Sequence, residues 1–323
     1  MRSSRVRIVC NAAVLLSVSL VGPFFCGGCG SELTQRRITL GAVRAAYYLP
    51  IFVLVNQRIL ERRGYVVELR PLYERNTDMI NDFTAGRIDV TAQSCLTMFP
   101  LEARYPNRFK FIYGQNNKSY FFLVPPNSPI QSLGDLAGKT VATWTSPTAY
   151  LSIPLILRPL IGDPSQVKVN RVDVSSLNQV LADKQADAVF STDVFISRAI
   201  RQGWGRYVTK TPPLEGVENP FFNGGGLINP KLAADEPRVA SDIQAAFDEA
   251  ISFIQSKPEQ ARALIPKYLK DVSNEDAERA PLDEFVPIAG VDMESAQRIA
   301  DRLFKEGDLD RRIDVRHLFF VQK

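Results

Sequence analysis

Apolar positions along the chain follow two alternating spacings. Short apolar runs bounded by glycine, proline or polar residues predict buried strands, whereas apolar residues at every third or fourth position predict helices. In the first part of the chain the predicted strands cover residues 37–43, 65–72, 88–93, 109–115 and 119–126. Helices are predicted at residues 50–64 and 76–86. Strands that alternate with helices in this way favour an α/β fold, in which a mostly parallel sheet is flanked by helices.

The same alternation restarts near Pro125. Strands are predicted at residues 139–143, 167–174 and 186–192, and helices at residues 147–158, 175–185 and 193–203. Pro154 and Pro159 fall within the first of these helices or at its end, and they are expected to bend or shorten it. The repeated pattern indicates a second lobe built in the same way as the first.

The C-terminal part of the chain is predominantly helical. One apolar stripe has the spacing of a long amphipathic helix and consists of Val239, Ile243, Phe247, Ile251 and Ile254. Further helices are predicted at residues 258–269 and 292–306. Because this part has no predicted sheet of its own, we expect it to pack back against the first lobe.

Two lobes that share the chain in this way require two crossings, which we expect near Gln115–Lys118 and Asn219–Gly226. The predicted organisation is a signal peptide at 1–28, lobe 1 at 36–118, lobe 2 at 119–224 and a return to lobe 1 at 225–323. The glycines at positions 224, 225 and 226 are either a hinge that absorbs backbone rotation or a plain turn.

The first 28 residues have the pattern of an export signal. Arg2, Arg5 and Arg7 precede an apolar stretch at residues 8–21, and no acidic residue occurs before Glu32. The stretch is shorter than the ~20 residues that usually span a bilayer. An uncleaved anchor helix is the alternative. The signal predicts a periplasmic or other extracytoplasmic location.

Gly27 and Gly28 precede Cys29, and this segment resembles the lipobox of bacterial lipoproteins. The resemblance implies that Cys29 becomes the lipidated first residue of the mature chain and attaches it to the membrane. Cys26 stands where leucine is usual, so cleavage near Ser31 without lipidation is the other possibility.

Loss of the leader changes what charge and cysteine content imply. The formal charge of +4 falls to about +1, so no nucleic-acid partner or polybasic membrane contact is indicated. Of the four cysteines only Cys95 would remain unmodified, which rules out an internal disulfide in the mature chain. Cys95 is expected to be a small packed residue.

The Gly-Lys-Thr tripeptide at residues 138–140 invites comparison with a phosphate-binding loop. Gly134 precedes Gly138 by four positions rather than five, and the order of elements is reversed relative to a P-loop. Ser132 can cap a short helical turn that Gly138 ends, after which a strand begins. The tripeptide is therefore predicted to be structural.

Three segments together carry a family resemblance. "SLGDLAGKTVAT" resembles a segment typical of periplasmic substrate-binding proteins, and "FTAGRIDVTAQ" and "LADKQADAVFST" resemble its paired segments, one in each lobe. The chain is therefore similar to the binding components of ABC importers of the nitrate/sulfonate/taurine and thiamine-pyrimidine-precursor class. The resemblance implies a two-lobed type II periplasmic-binding-protein fold, a monomer, a ligand cleft between the lobes, and delivery to an ABC permease and its ATPase.

Ligands of open parallel sheets bind beyond the carboxyl ends of the strands. This rule selects the turns after the predicted strands as the source of ligand-binding residues. The candidates are Arg44, Tyr47, Tyr48, Asn76, Ser94, Thr145, Ser146, Thr148 and Asp193. Asn223, near the second crossing, is a further candidate, with exposure to solvent as the alternative.

These candidates leave the charge of the ligand open. Thr145, Ser146 and Thr148 surround a helix start that favours an anion, although Ser146 can simply cap the helix. Arg44 also favours an anion, whereas Asp193 favours an amine or a ring nitrogen. A zwitterion, an anion and a heterocycle are all compatible with the sequence.

Two rival functions share this scaffold. The similarity to thiamine-pyrimidine synthases suggests a biosynthetic enzyme as the first alternative. Those proteins need an active-site histidine and a cysteine-rich motif, whereas His317 of this chain lies outside every predicted cleft turn. One histidine and one remaining cysteine do not provide the usual zinc ligand sets, and no metal or other cofactor is expected. A ligand-sensing domain is the other alternative. Capture of a small organic or anionic solute without chemistry is the preferred function.

Overall fold

The computed structural model of the chain describes residues 35–173 and 176–320. The predicted signal peptide and Cys29 lie outside the described residues. Twelve strands are present in the described part: β1 Arg37–Leu40, β2 Val66–Leu69, β3 Val90–Ser94, β4 Lys110–Phe111, β5 Tyr113–Asn116, β6 Tyr120–Val124, β7 Thr140–Trp144, β8 Lys168–Val172, β9 Ala188–Thr192, β10 Arg206–Tyr207, β11 Phe222–Ile228 and β12 Glu284–Pro287.

The same residues contain twelve α-helices: α1 Leu49–Asn56, α2 Asn76–Thr84, α3 Cys95–Arg104, α4 Pro147–Ile161, α5 Leu177–Ala182, α6 Asp193–Arg201, α7 Pro230–Asp235, α8 Pro237–Ser256, α9 Pro258–Arg262, α10 Ile265–Tyr268, α11 Asn274–Arg279 and α12 Met293–Glu306. Short 3₁₀ turns connect several elements, among them Ala46–Tyr48 and Leu133–Leu136. Among the residues that the structure describes, every helix is too short or too polar to span a bilayer.

The strands form two sheets, which we call sheet A and sheet B. Sheet A has seven strands in the order β12-β5-β11-β3-β1-β2, with β4 also paired to β11. Sheet B has five strands in the order β10-β6-β9-β7-β8. The chain therefore passes from sheet A to sheet B between β5 and β6, and it returns between β10 and β11.

Both sheets are mixed rather than mostly parallel. In sheet A, β2, β1 and β3 are parallel, while β11 is antiparallel to β3 and β12 is antiparallel to β5. In sheet B, β9, β7 and β8 are parallel, while β6 and β10 add antiparallel pairs. Local alternation predicts the parallel part because a helix crossover joins parallel strands. Strands β5, β6, β10 and β11 lie next to the connections between the sheets and have no such crossover. The local sequence pattern therefore does not predict their direction.

The Gly-Lys-Thr segment forms the structure predicted for it. Ser132 and Asp135 make reciprocal capping hydrogen bonds around the 3₁₀ turn Leu133–Leu136. Gly138 then has a φ of +74°, and strand β7 begins at Thr140. A left-handed glycine that ends a helical turn is a common termination signal. The segment is structural, as predicted.

Helix α4 is longer than predicted. It runs through Pro154 and Pro159 to Ile161, so the two prolines do not shorten it. Pro147 occupies the first turn, and the Ser146 side chain accepts a hydrogen bond from the Thr148 amide. Tertiary packing compensates for the lost backbone hydrogen bonds, because one whole face of the helix is buried.

The glycine triplet lies inside strand β11 and forms no turn. This strand is paired on both sides in sheet A, between β3 and β5. A Cβ atom at Gly224 would overlap the backbone carbonyl of Gln93, and one at Gly225 would overlap that of Tyr113. Glycine is required here because neighbouring backbone occupies the space of a side chain.

The C-terminal part packs against both sheets, which extends the prediction that it returns to the first lobe. Strand β12 joins the edge of sheet A, and α8 packs against α1. Helix α11 instead contacts α6, which follows a strand of sheet B. There the buried carboxylate of Asp276 pairs with Arg201 at 2.8 Å, and Ser197 donates to the Asp276 carbonyl at 2.7 Å. The tail thus ties helices of the two sheets together.

Candidate functional site

The carboxyl ends of strands from both sheets meet in one buried region. Ser94 ends β3 and caps α3, where its hydroxyl accepts a hydrogen bond from the Leu96 amide. Ser146 follows β7 and caps α4. The hydroxyls of Thr97 on α3 and Thr148 on α4 lie 3.0 Å apart, so the first turns of these helices are in direct contact. This is the arrangement that the strand-end rule predicts for a ligand site.

Asp193 lies at the start of α6, directly after β9. Its carboxylate accepts hydrogen bonds from the Val194 amide at 2.6 Å and from the Thr192 hydroxyl at 3.3 Å. The residue is 2% exposed and has a φ of +35°, which is unusual for a side-chain-bearing residue. Burial raises the pKa of Asp193 to about 7, although the amides of Val194 and Ala46 moderate the rise. A backbone held in a strained conformation is a frequent property of functional positions.

A second buried carboxylate, Asp283, lies close to the first. It comes just before β12 and accepts hydrogen bonds from the Lys118 amide at 3.0 Å and the Asn223 side chain at 2.7 Å. Lys118 lies in the connection from β5 to β6, and Asn223 lies at the start of β11, just after the connection from β10 to β11. Asp283 therefore contacts the chain at both connections between the sheets. Burial raises its pKa, and its charge contributes to the raised pKa of Asp193.

Two tyrosine side chains, those of Tyr47 and Tyr120, lie near the buried carboxylates. Burial is the main cause of a raised pKa at Tyr47 and Tyr120, and Asp283 raises both further. Tyr113 is completely buried and also acts on Tyr47. We call Tyr47, Tyr113, Tyr120, Asp193, Asn223 and Asp283 the polar cluster.

Several polar atoms around this cluster have no hydrogen-bond partner within the described residues. They are the hydroxyls of Tyr47 and Tyr113, the Gln115 side-chain oxygen and both side-chain polar atoms of Asn117. Tyr113, Gln115 and Asn117 are each 0% exposed. Because buried polar groups are normally paired, such atoms indicate groups that a ligand or bound water can satisfy.

A second chain of polar contacts extends from the cluster into sheet A. The Gln93 amide group contacts the Tyr48 hydroxyl at 3.3 Å and also contacts Asn76. The Ser94 hydroxyl lies 3.4 Å from the Asn223 side-chain oxygen. These contacts fix several side chains at the strand ends before any ligand binds.

Most sequence-predicted site residues lie in or beside this region. Tyr47, Asp193 and Asn223 belong to the polar cluster, and Ser94 contacts it through Asn223. Tyr48 and Asn76 contact Gln93 on β3, whereas Ser146 and Thr148 lie at the start of α4, beside α3. Asn223 is 0% exposed, in contrast to the solvent exposure considered from the sequence.

Arg44 and Thr145 lie outside the polar cluster. The Arg44 side chain is 53% exposed and pairs with Glu74 at 3.2 Å, and Thr145 is exposed. The Arg44 guanidinium group, which was the candidate partner for an anionic ligand, is therefore exposed to solvent in this conformation.

Sequence reasoning did not identify Asp283, Tyr113 or Tyr120 as site residues. Tyr113 and Tyr120 lie within apolar strands, where an aromatic residue is expected in any core. Asp283 lies in the C-terminal part, far along the chain from Asp193, and no local pattern marks it. Only the pairing of β12 with β5 brings it to the site.

Groups that could react or bind metal are sparse in the described residues. No cluster of three or more His, Cys, Asp and Glu side chains there could hold a metal ion. The Cys95 thiol is buried, donates to the Phe222 carbonyl at 2.9 Å, and has a pKa raised by burial. His317 instead contacts Glu102 at 2.9 Å.

Comparison with known proteins supports the family resemblance. The family model described as NMT1/THI5 like matches residues 110–261. No curated protein matches the chain in sequence. The matched segment includes β4 and β5 of sheet A, all strands of sheet B, and then β11 and α8.

Solved structures show the fold. The periplasmic aliphatic sulphonate binding protein SsuA from Escherichia coli aligns with a TM-score of 0.74 and 17% identity, covering 90% of this chain and 94% of that one. The alkanesulfonate-binding protein SsuA from Xanthomonas axonopodis pv. citri, bound to MOPS, aligns with a TM-score of 0.71 and 15% identity, covering 88% and 98%. The desulfurization enzyme DSZB aligns with a TM-score of 0.66 and 14% identity, covering 88% and 96%.

The chain thus has the α/β fold of periplasmic binding proteins, with two mixed sheets flanked by helices. At these identities the structures establish fold and not ligand. Both binding proteins and an enzyme use this architecture, so the function must be argued from the site itself.

Proposed function

We propose that this protein is an extracytoplasmic solute-binding protein that captures a small ligand between its two sheets and delivers it to an ABC permease. The observation that carries the proposal is the polar cluster. It is buried, it is formed where strands of both sheets end, and it contains polar atoms without partners among the described residues. A site of this kind binds a small molecule by hydrogen bonds on several sides.

The passages between the sheets support a closure mechanism. Two segments, at residues 117–119 and 208–221, connect the sheets, and the Thr97–Thr148 contact joins helices on the two sides. Rotation about the two passages would open the cluster to solvent, and a ligand that bridges both sides would favour the closed form. The permease would then distinguish the closed form from the open one.

The site favours binding over catalysis. A thiol nucleophile requires a lowered pKa or an adjacent base, whereas Cys95 has a raised pKa and donates to a backbone carbonyl. His317 pairs with Glu102, and neither residue belongs to the polar cluster. The two buried carboxylates accept hydrogen bonds from backbone amides and from the Asn223 side chain, and such pre-positioned acceptors suit recognition of a polar ligand.

The location and anchoring of the protein form part of the same proposal. Export by the leader and lipidation at Cys29 would hold the mature chain near its permease, as a monomer. Metabolic labelling with palmitate tests this directly: the wild type should incorporate label and Cys29→Ala should not. Equal labelling of the two proteins would show that Cys29 is not the lipid attachment site.

Thermal unfolding in the presence of candidate solutes tests ligand capture. A ligand present at a hundred times its dissociation constant stabilises the native state by about 2.7 kcal/mol. The screen should include sulfonates, nitrate, aromatic acids, pyrimidines, amines and amino acids. Protein that shows no shift with any small molecule, or that turns a solute over catalytically, would contradict the proposal.

A further inference from the structure

The charge of the polar cluster bears on the chemistry of the ligand. Asp193 and Asp283 are 2% and 7% exposed, and neither forms a salt bridge with a lysine, arginine or histidine of the described residues. Lys118 contributes only its backbone amide to Asp283, because its ammonium group pairs with Glu215. A buried ionised carboxylate without a cationic partner is strongly unfavourable.

We propose that the ligand carries a protonated nitrogen, which Asp193 binds within the polar cluster. The inference rests on the proposed capture function and specifies its substrate class as small organic cations. The ligand would supply the positive charge that the described residues do not.

The surroundings of Asp193 fit a cationic head group. Tyr120 lies near Asp193, and Tyr47 lies near Asp283. Aromatic rings attract cations through their faces. The hydroxyls of Tyr47 and Tyr113 are buried without partners among the described residues. An ammonium group has three donors, so it can bind a carboxylate and still donate to further oxygens.

The helix starts nearby provide the main argument for an anion. The N-termini of α3 and α4 each carry a partial positive charge of about half a unit. Their serine caps already occupy one amide each, and the Thr97 and Thr148 hydroxyls bond to each other. These contacts leave fewer free donors for an anion, while Asp193 offers an acceptor to a cation, and the test below includes an anionic probe.

Three probes that differ only in the head group separate these possibilities: benzylamine, benzyl alcohol and phenylmethanesulfonate. Propylamine, propanol and propanesulfonate repeat the comparison without a ring. Thermal unfolding is measured at pH 8 with each probe at millimolar concentration, and isothermal calorimetry gives the affinity of any probe that binds. We expect benzylamine or propylamine to raise the melting temperature. The alcohol and the sulfonate of the same series should have no effect.

Variants identify the residue responsible. Asp193→Asn should weaken amine binding about 10- to 100-fold, the range for loss of one charged hydrogen-bond partner. The matched control is Asp301→Asn, since Asp301 is exposed on α12 and accepts only a hydrogen bond from Gln297. Asp283→Asn provides a second test, because it changes a neighbouring carboxyl but leaves the proposed direct partner in place, and it should weaken amine binding less.

The pH dependence supplies an independent readout. Burial raises the pKa of Asp193 to about 7, and Asp283 and Tyr120 are the titratable groups that face it. Binding a cation requires the ionised form, so affinity for an amine should rise from pH 5 to about 7 and then level off. Proton release on binding should be measurable from calorimetry in buffers of different ionisation heat, and it should disappear in Asp193→Asn.

The outcomes are distinct. Stabilisation by a sulfonate but not by its amine counterpart would overturn the cationic assignment and leave solute capture intact. Amine binding that Asp193→Asn does not change would also overturn it. Absence of a response to both probe series, together with a negative result in the broader screen, would contradict capture itself.

Discussion

Replacement of Asp193 by asparagine should stabilise the unliganded protein at pH 8. Ionisation of a carboxyl that is 2% exposed is unfavourable, and this cost appears as the rise in pKa from an ordinary 3.8 to about 7. Each pKa unit corresponds to about 1.4 kcal/mol, so the difference amounts to about 4 kcal/mol at pH 8. The asparagine side chain would keep a carboxamide oxygen that accepts from the Val194 amide.

The backbone at this position also accepts the change. Asparagine tolerates a positive φ better than most residues, so the φ of +35° should not be a new source of strain. The added NH₂ group needs a partner, which the Thr192 hydroxyl can supply. Allowing about 1 kcal/mol for this rearrangement, we expect a net gain of about 2 to 4 kcal/mol.

The sign of the pH effect is specific to a carboxyl with a raised pKa. The folded state binds more protons than the unfolded state between about pH 4 and 7, so wild-type stability falls as the pH rises through this window. Asparagine does not titrate. The stability advantage of Asp193→Asn should therefore be largest at pH 8, shrink below pH 7 and close near pH 4.

Urea unfolding at pH 4 to 8 measures the effect. The protein is first unfolded, dialysed and refolded to remove any ligand acquired during expression. Asp301→Asn serves as control, since an exposed carboxylate should change stability by no more than about 0.5 kcal/mol. The reasoning is refuted if Asp193→Asn is less stable than wild type at pH 8, or if the difference between them does not depend on pH.

Three further predictions concern the framework of the site. Gly225→Ala should destabilise the folded protein by more than about 3 kcal/mol, because the added Cβ overlaps the Tyr113 carbonyl. Gly134→Ala is the control: its Cβ would meet only an ordinary contact and should cost about 1 kcal/mol or less. Thermal unfolding measures both variants. Asp276→Ala should cost about 3 kcal/mol in urea unfolding, since it removes a buried carboxylate that holds the partly buried Arg201; a loss below about 1 kcal/mol would show that α11 is not held by this pair. Thr97→Val should cost about 1 kcal/mol, and combination with Thr148→Val should be less than additive; strict additivity would contradict a direct contact.

The local chemistry of the sequence determined the elements and much of their order. The capping box at Ser132 and the left-handed Gly138 show this at residues 132–140, because their hydrogen bonds and dihedral preferences involve only near neighbours. The strand-end rule likewise selects Tyr47, Ser94 and Asp193 from the sequence alone. These features depend on periodicity and on short-range hydrogen bonds.

The tertiary structure alone decided which distant groups meet. It inserted β11 and β12 antiparallel into sheet A, brought Asp283 beside Asp193, and turned Arg44 towards Glu74 and solvent. Strand pairing between segments far apart in the chain is set by the packing of whole faces, and the pKa of a carboxyl is set by how much water that packing removes. The residues immediately around Asp193 determine neither the strand pairing nor the burial, so the proximity of two buried carboxyls becomes evident only in the folded chain.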